Sequence, residues 1–64
     1  MNANEIEPGM LLLGPNGETR EVIQADPEGI NCWYAKPGGT QTHKITKHGL
    51  ARWVRQDITE PEAA

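Results

Sequence analysis

The sequence predicts a small all-β domain: a five-stranded barrel with one 3₁₀ turn before its last strand. Three observations lead there. Turn signals recur at short spacing, at Pro8-Gly9, Gly14-Pro15-Asn16-Gly17, Asp26-Pro27-Glu28-Gly29 and Lys36-Pro37-Gly38-Gly39. The segments between them are short and rich in β-branched or alternating apolar residues. No window repeats apolar residues at helical spacing over three turns. Strands this short cannot build a large sandwich, but they can curl into a strongly bent barrel that leaves no exposed edge.

Taken in order, residues 1–5 read as a disordered N-terminal tail, 6–56 as the barrel and 57–64 as an acidic disordered tail interrupted by Pro61. Residues 10–13, Met-Leu-Leu-Leu, form the first strand. Asn16-Gly17 then closes a tight hairpin, because both residues tolerate positive φ. The second strand spans 18–26 around Val22 and Ile23. In the third, Ile30, Cys32 and Tyr34 alternate with Asn31, Trp33 and Ala35, so the first set is expected in the core, and Trp33 either points out to solvent or covers one open end of the barrel. Three threonines and Ile45 mark residues 40–46 as the fourth strand. Residues 47–50 break the pattern in about one turn, which suits a 3₁₀ segment. Residues 51–56 are left as the closing strand, with core packing expected for Trp53.

A chain of 64 residues holds one domain and buries about 60% of its unfolded surface, so its stability margin is thin. One cysteine permits no internal disulfide and no four-ligand zinc pattern is present, so the core or self-association must supply stability. No apolar run approaches the roughly 20 residues needed to cross a bilayer, and no membrane association is expected. A polar, acidic start and an unpaired cysteine point to the cytoplasm.

The charge is unevenly placed. Residues 1–28 hold six acids and one base, Arg20, whereas residues 29–56 hold five bases and no acid. Within residues 42–55, Lys44, Lys47, Arg52 and Arg55 keep company with His43, His48 and Trp53. Although the net charge is −3, local potential steers binding, so this half can present a positive face.

The run 42–46 (Thr-His-Lys-Ile-Thr), then 47–50 (Lys-His-Gly-Leu), then 51–54 (Ala-Arg-Trp-Val) resembles the fourth strand, 3₁₀ turn and last strand of the SH3-like small barrel. With Glu7-Pro8-Gly9-Met10-Leu11, Gly17-Glu18-Thr19-Arg20-Glu21-Val22 and Gly29-Ile30-Asn31-Cys32-Trp33-Tyr34, residues 6–55 also resemble small uncharacterised bacterial proteins of that fold. The resemblance implies a fold rather than an activity, since such barrels host peptide binders, nucleic-acid binders, methyl-lysine readers and a plasmid-borne reductase. A single tyrosine and a tight turn at Asn16-Gly17 do not fit a peptide-binding SH3 groove. Three aromatics, at least one of them in the core, are too few for a methyl-lysine cage. The Val-Gln-Ile-Tyr strand of the reductase is not present.

Few residues offer chemistry. Cys32, His43 and His48 are the one trio with metal-ligand character, but alternation places Cys32 in the core as a small hydrophobe. The same burial argues against a Cys32–His43 nucleophile. Gly38-Gly39 precedes no helix and forms no phosphate loop. No enzyme, cofactor or metal site is expected. What remains is a binding surface made of Trp33, Lys36, Lys44, Lys47, His48, Arg52 and Arg55. The first reading is protein–protein interaction, in which this face docks an acidic partner and Trp33 is the anchor. Self-association belongs to it, because the acidic first half can meet the basic second half of a neighbour. The alternative is single-stranded RNA or DNA, with bases stacked on Trp33 and phosphates on the cations. The positions of Glu18, Glu21 and Glu28 discriminate, because acids set among the lysines would abolish a phosphate-binding patch.

Overall fold

The computed structural model describes residues 1–59. Five strands form one antiparallel sheet: β1 (Leu11–Leu13), β2 (Thr19–Ala25), β3 (Asn31–Ala35), β4 (His43–Thr46) and β5 (Gln56–Asp57). Their order across the sheet is β4-β3-β2-β1-β5. Beta-4 and β5 are therefore its two edges, and the sheet is open where the sequence reading expects a closed barrel. All four foreseen turns close as hydrogen-bonded loops, with Met10 N donating to Glu7 O, Gly17 N to Gly14 O, Gly29 N to Asp26 O and Gly39 N to Lys36 O. Gly17, Gly29 and Gly38 have φ of 78°, 77° and 78°, a backbone conformation that side chains disfavour.

Beta-2 carries a register shift. Val22 pairs with Tyr34 but Gln24 pairs with Trp33, so Ile23 is the extra residue of a bulge. The bulge reverses the alternation of the strand. Arg20 and Val22 share the core side before it, and Ala25 packs on the core after it. Ile23 itself is 45% exposed.

The main correction lies in residues 47–56. The expected 3₁₀ turn and most of the expected closing strand are one α-helix, α1 (Lys47–Trp53). Thr46 caps it, its hydroxyl accepting from Gly49 N at 3.0 Å. Val54 N closes the other end on Leu50 O. Leu50 and Val54 are buried four residues apart, with Ala51 and Trp53 packed beside them. This is a helical pattern, but two turns are too short to stand out in the sequence. The helix starts beside β3, where Lys47 N donates to Ile30 O, and crosses the sheet until Arg55 N meets Leu13 O. It thereby covers the core, a cluster of Ile6, Leu12, Val22, Cys32, Leu50 and Val54.

Smaller differences follow from these. Ile30, expected inward, precedes β3 in the turn and is 57% exposed. Ala35, expected outward, is buried, although outside the core cluster. Ala3–Glu5, assigned to the N-terminal tail, makes a 3₁₀ turn that delivers Ile6 to the core. Asp57, assigned to the C-terminal tail, pairs with Leu12, and Leu11 N donates to the Thr59 hydroxyl. The remainder of that tail, 60–64, lies outside the described residues. Among the described residues no helix is long and apolar enough to cross a membrane.

Candidate binding surface

In an antiparallel pair, opposed residues share a face. Trp33 and Lys44 oppose one another on β3 and β4, and Gln24 opposes Trp33 from β2. This row lies on the face away from the core. Trp33 is half-buried there and is no member of the core cluster, while Lys44 is exposed. The Lys44 ammonium stands 5.9 Å from the centre of the Trp33 ring, within cation–π range. Beta-4 is also an edge, with His43, Lys44 and Thr46 exposed, so a charged side chain projects from a strand whose outer side has no paired strand among the described residues.

The other expected residues are spread around this pair. Successive hairpins of a meander alternate ends, so the turns at 14–17 and 36–39 share one end of the sheet and the turn at 26–29 occupies the other. Lys36 is at the first end, where it lines a groove of about 350 Å³ with Gly39, Thr40, Gln41 and His43. Arg52 and Arg55 are both exposed and meet each other, Arg55 Nη1 donating to Arg52 O at 3.2 Å. They too approach the first end, because Arg55 N bonds Leu13 O. Lys47 and His48 open α1 at the opposite end, next to the turn that carries Asp26 and Glu28. The structure thus joins Lys44 to Trp33 and Arg52 to Arg55, and separates Lys47 and His48 from Lys36.

The acids partly enter this surface. Glu21 opposes Ala35 on the outer face, one cross-strand row from Trp33. None of Lys36, Lys44, Lys47, Arg52 and Arg55 has a carboxylate within ion-pair distance among the described residues, where Arg20–Glu18, at 4.0 Å, is the one such contact.

Arg20 is the residue that sequence reasoning missed. It opposes Leu12, so its side chain is on the core side, and its guanidinium carbon lies 4.2 Å from the Tyr34 ring centre and 4.0 Å from that of Trp53. Tyr34 in turn meets His43, with ring centres 5.4 Å apart. The signal was present: Arg20 stands two residues before Val22 and therefore shares its face. Trp53 packs against the core cluster as expected, lying flat on Gly14.

Cys32 is fully buried, and burial pushes its thiol pKa up while nearby Lys47 partly opposes the shift. It opposes Ile45. Among the described residues no three His, Cys, Asp or Glu side chains gather to hold a metal ion, so Cys32, His43 and His48 do not converge. No protein-family model, curated protein or solved structure matches the chain.

Proposed function

We propose that this protein is a non-catalytic interaction module that docks an acidic protein segment along β4. The carrying observation is the Trp33–Lys44 pair: a large ring outside the core, topped by an ammonium group, beside an unpaired sheet edge. An extended segment added to β4 would gain main-chain hydrogen bonds from the edge. Its acidic side chains would meet Lys44, and Trp33 would supply the apolar anchor. Glu21 near this row, and Asp26 and Glu28 near Lys47, favour a short acidic segment over a continuous polyphosphate. We also read the bent sheet as SH3-like. Its support is the succession of β4, a helical segment and β5, together with nearly equal extents of 30 × 29 × 25 Å, although α1 is longer than that fold's single 3₁₀ turn.

Fluorescence anisotropy tests the reading. The probes are a labelled extended peptide that alternates Glu with Val and a labelled single-stranded oligonucleotide, each at low and moderate salt. The expected result is peptide binding that Trp33→Ala and Lys44→Glu each weaken at least about tenfold, the equivalent of ~1.4 kcal/mol. Tight oligonucleotide binding that falls steeply with salt, without peptide binding, would replace this reading by the nucleic-acid one.

A further inference from the structure

The side of the sheet away from Trp33 holds a cation whose Nε has no hydrogen-bonding partner among the described residues. Arg20 lies between the rings of Tyr34 and Trp53, at 4.2 and 4.0 Å. Its side chain is 16% exposed, and its Nε is buried without a hydrogen bond among the described residues. The carboxylate nearest to it, Glu18, reaches Nε only to 4.0 Å and is itself 46% exposed. A guanidinium carries five in-plane N–H donors and cannot shed its charge. Contact with the two ring faces stabilises the charge but supplies no oxygen acceptor to the N–H groups. An unmet donor in a sheltered place is costly, so the edge is poised to accept an oxyanion.

The same stacking fixes the orientation of the fork before any ligand arrives, which lowers the cost of binding. A planar fork matches a carboxylate, which it can hold through two parallel hydrogen bonds. Beyond Tyr34 lies His43, and His43 lines the groove of about 350 Å³ that also contains Lys36, Thr40 and Gln41. Arg20 and the groove are thus joined across one tyrosine ring, with cationic or polar groups on both sides.

We infer that Arg20, clamped between Tyr34 and Trp53, is a receptor for a carboxylate group, and that the remainder of the ligand extends over Tyr34 and His43 toward Lys36. Glu18 is the internal competitor for this site. The inference does not rest on the β4 reading, because Trp33 and Lys44 occupy the opposite face.

The test is ¹H–¹⁵N NMR of the full chain titrated with acetate. Chloride at matched ionic strength and acetamide serve as references. A short peptide with a free C-terminal carboxylate, and the same peptide amidated, form a second arm. The expected result is a saturable shift of the Arg20 Nε–H and Trp53 Nε1–H signals by acetate, with Kd on the order of 1–10 mM, and none with chloride or acetamide. Glu18→Gln should tighten binding about threefold, and this exposed substitution leaves the fold unaffected. Arg20→Lys, which keeps the charge and loses the fork, should weaken it about tenfold. Tighter binding of the free peptide than of acetate, lost on amidation, assigns the carboxylate to a protein terminus. Binding of acetate with exclusion of the peptide assigns it to a small organic acid. Equal shifts with chloride, no saturable shift up to about 100 mM acetate, or no gain in Glu18→Gln would each overturn the inference.

Discussion

Replacing Gly14 with alanine would place a methyl group inside the space of the Trp53 indole. A Cβ there would overlap Cζ2, Cε2 and Cη2 of that ring. The backbone cannot easily retreat, because Gly14 N donates to Glu18 O at 2.8 Å and Gly14 O accepts from Gly17 N at 3.3 Å. The ring must therefore move, and Arg20 loses one side of its clamp. Overpacking costs about 1–3 kcal/mol. Loss of a partly buried cation–π contact adds about 0.5–2 kcal/mol. The expected destabilisation is then about 1.5–5 kcal/mol, against a total of about 3–10 kcal/mol for a domain of this size. In a Trp53→Ala background the methyl group finds open space. Gly14 has no positive φ, so alanine is accommodated there and should stabilise by about 0.4–1 kcal/mol through the unfolded chain. The effect of one substitution thus reverses sign with the presence of the other. Urea unfolding of the four members of the cycle measures it, with far-ultraviolet circular dichroism as the common probe and trimethylamine N-oxide present throughout to keep the weakest member folded. Additive effects, or a cost below about 0.5 kcal/mol in the parent, would refute the packing described here.

Two further outcomes are expected. Thr46→Ala removes the hydroxyl that accepts from Gly49 N, and should cost about 1 kcal/mol in urea unfolding with a loss of helical circular dichroism; an unchanged midpoint would mean that α1 does not depend on this cap. Asp57 is held below its ordinary value of 3.8, first by the Thr59 hydroxyl and then by the Thr59 backbone N–H at 2.9 Å. Its folded form therefore binds a proton less readily than the unfolded chain. The resulting small stabilisation should be complete above about pH 5 and be lost as the pH falls through the lowered value. Carbon-13 NMR titration of the Asp57 carboxyl in the parent and in Thr59→Ala checks this, and equal midpoints in the two would contradict it.

Much of the sheet was legible in the chain itself. Turns were marked by residues whose chemistry is local: Asn16-Gly17, Pro27 with Gly29, and Pro37 with Gly38 need no distant partner to bend the backbone. Alternation placed Cys32 inside and on the face opposite to Trp33 for the same reason, because a strand side chain's face depends on its neighbours two residues away. The helix was not legible, because Leu50, Trp53 and Val54 span only two turns, and their apolar face has a purpose only once the sheet exists for it to cover.

For the candidate sites, the sequence determined the inventory: an acid-free half, two tryptophans and five cations between residues 29 and 56. Tertiary structure decided their company. The bulge at Ile23 set which β2 residues face the core, and pairing across β3 and β4 put Lys44 on Trp33. The path of α1 brought Trp53 onto Gly14 and Arg20, three positions far apart in the chain. Local propensity acts over a few residues and can be read from them. Arg20 lies between Tyr34 and Trp53 because cross-strand register and helix packing bring them together, and those are settled only by burying one core from all the elements at once.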